Sequence, residues 1–127
     1  MAYEAILNTI TLVATGTIAQ YTAVSIGGND AAPTCVGTTS ATDPLVIGVA
    51  QNAAVAGESV TVAVGGITKM VAGAAVATYG LRIASDAAGK GRVAVATNVP
   101  IGISVAQGSA ADKYLSVLLG RPNIVLA

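Results

Sequence analysis

The sequence predicts an all-β fold, a small β-barrel or sandwich that contains two related hairpin units and an N-terminal arm. Short stretches of alternating apolar and polar residues recur about every 8–12 residues, which is the spacing of strands in small sandwiches and barrels. Gly, Asn, Asp and Pro separate these stretches and supply the turns. One segment also occurs twice, and its pattern is that of a β-hairpin.

The repeated segment covers residues 47–65 and 101–120. Each copy begins with Ile-Gly and small residues, and it continues into a charged turn, Ala56-Gly57-Glu58 in the first copy and Ala111-Asp112-Lys113 in the second. An alternating strand follows and ends on glycine, at Gly65 and at Gly120. Because two copies are too few for a solenoid, the repeat predicts one compact domain with two related hairpins.

The chain divides into an N-terminal arm at residues 1–12 and a single β domain at residues 13–127. Residues 27–44 are rich in Gly, Ala, Thr, Asp and Pro and predict a long surface loop. A turn is expected at Gly65-Gly66, and residues 72–77 are the one segment that suggests a helical turn, which Gly73 weakens. Strands are predicted at 10–13, 20–26, 45–50, 59–64, 67–72, 81–83, 92–97, 101–106 and 114–119.

The composition excludes several classes of function. The 127 residues include no His, no Trp and one Cys, so a histidine base and a disulfide framework are excluded. Charged residues make up 9% and the net charge is zero, so nucleic-acid binding through phosphates is not expected. Apolar residues make up 54% of the chain, but no stretch of about 20 apolar residues predicts a membrane helix. A chain with so few charged residues is predicted to bury much of its surface against other subunits in an assembly.

Candidate catalytic and metal-binding residues have simpler interpretations as turn or core residues. Gly89-Lys90-Gly91 lacks the spacing of a phosphate-binding loop and is expected to be a turn. Cys35 has no histidine to activate it and is expected to be a small, half-buried side chain. We therefore predict a protein that is not an enzyme and has no cofactor and no metal. The acids lie in separate predicted turns: Asp30, Asp43, Glu58, Asp86 and Asp112.

The region from about Leu45 to Leu119 resembles the small capsid cement (decoration) proteins of tailed bacteriophages. The resemblance implies a β-rich virion protein without catalytic residues on the outer capsid surface. It further implies a homotrimer that binds the major capsid protein and bridges neighbouring subunits. The matching segments are Ile47-Gly48-Val49-Ala50, Ala56-Gly57-Glu58-Ser59-Val60-Thr61-Val62, Gly65-Gly66, Ala72-Gly73-Ala74-Ala75-Val76, Tyr79-Gly80-Leu81, Asp86-Ala87-Ala88-Gly89-Lys90, Pro100-Ile101-Gly102-Ile103-Ser104 and Leu115-Ser116-Val117-Leu118-Leu119.

The N-terminal arm is the candidate capsid interface, because an extended segment can add a strand to the sheet edge of a neighbouring chain. Its largest apolar side chains are Tyr3, Ile6, Leu7 and Ile10. The alternative for the arm is a simple first strand with a frayed tip. Two other functions stay open, a tail or fibre subunit of the virion and a host- or carbohydrate-binding β module, although 3% aromatic residues disfavour sugar stacking.

Overall fold

The computed structural model describes residues 5–27, 33–38, 40–42, 45–76, 79–95, 97–106 and 110–120. The described residues form strands, turns and bridges and contain no helix, which confirms the all-β prediction. The strands are β1 (Ala5–Ala14), β2 (Ala23–Gly27), β3 (Thr34–Gly37), β4 (Val46–Ala50), β5 (Ser59–Val71), β6 (Arg82–Ser85), β7 (Gly91–Val93), β8 (Gly102–Ala106) and β9 (Tyr114–Leu119).

Five strands close a small barrel. The order of the sheet is β1-β3-β2-β4-β5-β9-β8-β6-β7, and an additional pairing of β1 with β5 joins the first five strands into a ring. The pairs within this ring are antiparallel except β1 with β3, in which Val13 and Ala14 lie beside Thr34 and Cys35. Closure removes the free edges that an open sheet would present. The remaining strands β6–β9 extend outside this barrel from β5.

Strand β5 runs through the glycine pair at which the sequence analysis placed a turn. The prediction of two strands separated at Gly65-Gly66 is wrong, because both halves of β5 find partners. Its first half pairs with β1 and β4, and its second half pairs with β9. Gly66 has a φ of 86°, so the glycines allow the strand to bend from one group of partners to the other.

Two further local predictions are wrong. The expected loop at 27–44 contains β3, which is short but paired on both sides, with β2 and with β1. The expected helical turn at 72–77 is not helical over its described part, where bends separate bridges at Ala72 and Val76. There Ala72 forms a parallel bridge with Gly91, and the N–H of Gly73 donates to the carbonyl of Gly91 at 2.8 Å. Tertiary pairing therefore decides both segments.

The internal repeat extends beyond the two hairpins and covers most of the chain. We call residues 5–65 unit 1 and residues 66–120 unit 2. The repeated hairpins β4–β5 and β8–β9 have matching register, since Val49 pairs with Ala63 and Ile103 pairs with Leu118. A Cβ at Gly48 would overlap the carbonyl oxygen of Ala63, and one at Gly102 would overlap that of Leu118. The predicted relation between the two hairpins is thus present in three dimensions.

The strands around the hairpins correspond as well. In unit 1, β2 pairs with β4 through Ala23–Val49 and Val24–Gly48, and in unit 2, β6 pairs with β8 through Arg82–Ile103 and Ile83–Gly102. The parallel contact of Ala14 with Cys35 recurs as the bridge of Ala72 with Gly91. Unit 2 therefore repeats the order β1-β3-β2-β4-β5 as β5-β7-β6-β8-β9, in which the single bridge from Ala72, the residue after β5, to Gly91 of β7 takes the place of the pairing of β1 with β3.

Each unit has its own hydrophobic core. Unit 1 buries a cluster that contains Leu12, Ile18 and Val62. The corresponding positions in unit 2, Met70, Val76 and Val117, lie in a second cluster. A hydrogen bond also joins the two units, in which Nε2 of Gln51 donates to Oγ1 of Thr68 at 2.9 Å. The rings of Tyr21 and Tyr114 meet edge to face across the same junction, with their centroids 5.5 Å apart.

Candidate functional site

A row of residues on the outside of unit 1 is completely covered by unit 2. Ala23, Val49 and Ala63 lie side by side on β2, β4 and β5 and are each 0% exposed. They belong to the unit 2 cluster, which also contains Val99, Ile101 and Leu119. We call Ala23, Val49 and Ala63 the covered row. Its side chains are small, so the two units pack closely.

The same three positions in unit 2 are open to solvent. Arg82, Ile103 and Leu118 lie side by side on β6, β8 and β9, and we call them the open row. Ile103 is 39% and Leu118 is 40% exposed, and Arg82 is exposed as well. The open row lines a groove of about 430 Å³ together with Pro100 and Gly120. Exposed, adjacent apolar side chains of this size are typical of interaction surfaces.

Charged groups in the described residues form local contacts rather than a reaction centre. Nζ of Lys90 lies 2.6 Å from Oδ1 of Asp112, and this hydrogen bond raises the pKa of Lys90. Oδ1 of Asp86 accepts hydrogen bonds from the N–H groups of Ala88 and Lys90, at 2.8 and 2.9 Å. Residues 86–90 therefore form a turn organised by Asp86, as the sequence indicates, and Gly91 begins β7.

The charged turns of the two hairpins have the same backbone geometry. Gly57 and Asp112 both have positive φ, 90° and 67°. The N–H of each donates to an equivalent carbonyl, from Gly57 to Ala14 at 2.8 Å and from Asp112 to Ala72 at 2.7 Å. The carboxylate of Glu58 is used inside its own turn, where Oε1 accepts from the N–H of Val55 at 2.8 Å. These contacts match the predicted structural role of the turns.

The described part of the chain shows no candidate metal site, and its one cysteine is buried. It contains no group of three or more Cys, Asp or Glu residues placed to hold a metal ion. Cys35 is fully buried in the unit 1 core rather than half-buried, and this desolvation raises the pKa of its thiol. Among the described residues no helix is long and apolar enough to cross a membrane.

The candidate residues of the N-terminal arm lie in different settings. Tyr3 lies outside the described residues, and Ile6 and Leu7 belong to β1, although their side chains are not among those described. Ile10 lies opposite Val62 of β5 and is 43% exposed. Residues 5–12 thus pair with a strand of their own chain, as in the alternative of a simple first strand. A contact of this segment with the capsid stays a prediction.

The open row is not indicated by any single strand pattern in the sequence. Its residues lie in predicted strands, but a single strand pattern does not show which outward face is covered by another part of the chain. A signal was nevertheless present in the repeat, which aligns Ile103 with Val49 and Leu118 with Ala63. If the repeat had been extended to β2 and β6, the contrast between small and large side chains would have indicated the difference.

Two comparisons with known proteins show a similar fold and the family of the chain. The fold is similar to a solved structure described as the head fiber gp8.5 N base in bacteriophage phi29, with a TM-score of 0.71 and 14% sequence identity over 94% of this chain and 98% of that chain. A family model described as phage cement protein matches residues 5–120. A comparison with curated proteins gives no match.

The chain belongs to the phage cement protein family, because this match covers nearly all of its length. It is therefore a structural protein of the bacteriophage virion, on the exterior of the capsid. The resemblance stated from the sequence motifs is confirmed.

Proposed function

We propose that this protein binds the outer surface of the major capsid shell and stabilises it by bridging neighbouring capsid subunits, as a homotrimer and without enzymatic activity. The observation that carries this proposal is the family match over residues 5–120. Attachment of this kind requires contact area and several simultaneous contacts rather than a reaction centre. The described residues agree with it, because they offer exposed apolar side chains for such contacts.

Trimer formation would strengthen weak individual contacts. When one protomer is bound, the other two are held near their own sites at a high effective concentration, so the overall affinity exceeds that of one contact. A trimer would also place three identical surfaces around a symmetry axis of the shell. Bridging follows if these surfaces touch different capsid subunits.

The N-terminal segment is the part of the chain that we propose contacts the capsid, through Tyr3, Ile6, Leu7 and Ile10. The exposure of Ile10, 43%, supports a contact with another molecule. The pairing of β1 with β5 occupies one edge of β1, whereas β3 pairs with the other edge at Val13 and Ala14. We therefore expect this contact to use the exposed side chains and the second backbone edge of the segment that precedes Val13.

The test is to add the purified protein to capsids that lack it and to measure bound copies and the temperature at which the shells open. We expect saturable binding, a copy number in fixed ratio to the major capsid protein, and a higher opening temperature. Ile10→Lys should weaken binding, whereas Val55→Lys, at a similarly accessible position, should not. Unchanged opening temperatures at full occupancy would contradict a stabilising role.

A second candidate is the base of a head fibre, because one similar solved structure is the head fiber gp8.5 N base of bacteriophage phi29. The two functions predict different contacts on the capsid exterior. A cement protein should protect bare shells when it is added alone. A fibre base should bind without changing shell stability and should retain a further virion protein when particles are isolated from an infection. The same binding experiment therefore separates them.

A further inference from the structure

We propose that the groove on unit 2 binds the C-terminal segment of the same chain, residues 121–127, which lies outside the described residues. The groove contains the open row, whose apolar members Ile103 and Leu118 are 39% and 40% exposed. The segment follows Gly120, the last described residue, and Gly120 itself lines the groove. This proposal goes beyond the proposed capsid function and does not depend on it.

The internal repeat indicates which part of the chain covers a row at this position. Gly65 and Gly120 are equivalent, since each lies two residues after the last member of its row. The chain that follows Gly65 is unit 2, which contacts the covered row directly. The N–H of Ala23 donates to the carbonyl of Gly89 at 2.7 Å, and a Cβ on Gly89 would lie 3.1 Å from the carbonyl oxygen of Ala23. The C-terminal segment follows Gly120 and so takes the place of the covering unit.

The start of the segment is held at the end of the groove. The N–H of Gly120 donates to the carbonyl of Ile101 at 3.3 Å, so the chain stays bonded to the residue before β8 up to this point. The next four residues, Arg121-Pro122-Asn123-Ile124, favour a β-turn, because Pro suits its second position and Asn its third. Such a turn reverses the chain and directs the residues after it back over the open row.

The remaining residues have the length and the side chains that the open row requires. Neighbouring strands lie about 4.8 Å apart, so the row extends about 10 Å from Leu118 on β9 to Arg82 on β6. Three extended residues, Ile124, Val125 and Leu126, span about 10 Å. Because side chains alternate along an extended chain, Ile124 and Leu126 face the row together and Val125 faces away. Apolar side chains of the segment then cover the apolar side chains of the groove.

The covalent connection favours this segment over a separate molecule. A segment attached beside its binding site is present there at an effective concentration of about 1 mM or more, which a free partner must exceed. The one charged side chain of the segment, Arg121, directly follows Gly120 and stays at the β9 end of the row. Arg82 lies two strands away on β6, so the two cations do not meet.

The test measures how fast a thiol in the open row reacts with iodoacetamide. The reporter is Leu118→Cys in the full chain, without capsids, and wild-type protein gives the background because Cys35 is buried. When Ile124→Ser and Leu126→Ser are added, the reporter should react about tenfold faster, since a groove that is covered about nine-tenths of the time exposes the thiol only for the remainder. Val125→Ser is the matched control and should keep the slow rate.

A second control places the thiol on unit 1. Val55→Cys, at a position that is 54% exposed, should react at the same rate with the native and the substituted segment. Circular dichroism checks that every variant keeps its strand content, which is expected because the substituted segment follows the last strand.

A slow reporter rate that does not change with protein concentration, together with the faster rate of the doubly substituted segment, supports the proposal. Equal rates with the native and the substituted segment, or an equal increase from Val125→Ser, would overturn it. So would protection that rises with protein concentration, which indicates a second copy, or protection seen only on capsids, which indicates the capsid protein. Capsid binding is scored separately, so either proposal can fail while the other holds.

Discussion

Units 1 and 2 have the same strand order and the same register, yet they present different outer surfaces. Ala23 and Ala63 on unit 1 are small and fully buried, whereas Arg82 and Leu118 at the same positions of unit 2 are large and exposed. Small side chains let unit 2 approach the backbone of unit 1 closely. One backbone pattern can therefore serve as an internal interface or as a free surface, depending on side-chain size.

The largest expected effect tests the equivalence of Gly48 and Gly102. Alanine at either position places a Cβ against a backbone carbonyl oxygen, which cannot move without breaking the hairpin. We expect each substitution to lower the free energy of unfolding by about 3 kcal/mol or more. Urea unfolding measures the change.

Gly16→Ala and Gly37→Ala are the controls, because no heavy atom lies within 4 Å of a Cβ at those positions. They should stay near the wild-type stability. If Gly48→Ala were destabilising and Gly102→Ala were neutral, the two hairpins would not be structurally equivalent.

A smaller effect is expected from a matched pair in the two cores, Val62→Ala and Val117→Ala. Both valines are 0% exposed and occupy equivalent positions. Each truncation should cost about 2 kcal/mol, from lost apolar burial and the cavity that remains. Because β5 belongs to both units, both variants should unfold in one transition with an unchanged denaturant slope.

Hydrogen exchange provides the second readout for this pair. Loss of protection in both units upon either substitution is expected from the shared strand. Two separate transitions, or exchange confined to the mutated unit, would show that the units are energetically independent.

The next effect concerns the two equivalent turns. Gly57→Ala should lower the free energy of unfolding by about 1 kcal/mol, because alanine is disfavoured at a φ of 90°. Asp112→Asn should change it by less than about 0.5 kcal/mol, since Asn tolerates positive φ and an exposed ion pair contributes little. Thermal unfolding at two salt concentrations measures both.

Glu58→Gln is the matched control and should also preserve folding and capsid binding. Loss of capsid binding by a folded Glu58→Gln, Asp112→Asn double variant would point instead to an acidic contact surface. The turns would then have a function beyond shaping the hairpins.

The smallest expected effect is a pH dependence of the free energy of unfolding. It distinguishes the two cores, because unit 1 has Cys35 at the position where unit 2 has Gly91. Burial raises the pKa of the Cys35 thiol above its ordinary value of 9.0. The folded state then holds the thiol proton more tightly than the unfolded state. The contribution of this proton to the free energy of unfolding is therefore complete below pH 9 and is lost as the pH rises further. Unfolding measured between about pH 8 and about pH 10 should show this loss in wild type and less of it in Cys35→Ala.

The raised pKa of Lys90 also makes the free energy of unfolding fall as the pH rises, but in a higher pH range. The ion pair of Lys90 is present in both the wild type and Cys35→Ala. The difference between the two pH curves therefore isolates the thiol. Curves of identical slope would contradict a desolvated Cys35.

Local patterns in the sequence were enough to place the strand-forming segments, because alternation and glycine-rich turns act over a few residues. They also revealed the two hairpins, whose register follows from the repeated Ile-Gly and the aligned valines. They were insufficient at Gly65-Gly66, at β3 and at residues 72–76. At these places long-range pairing overrode local turn and helix preferences, since paired backbone groups outweigh weak local propensities.

The identity of the buried outward row depends on the folded chain as a whole. Ala23 and Arg82 occupy equivalent strand positions, and no local pattern tells that the first lies under unit 2 and the second lies in solvent. Burial depends on how β5 bends between the two units and places the covered row in one cluster with Val99 and Leu119. That bend requires the partners of both halves of β5, so the surface available for a partner emerges only when both units are folded together.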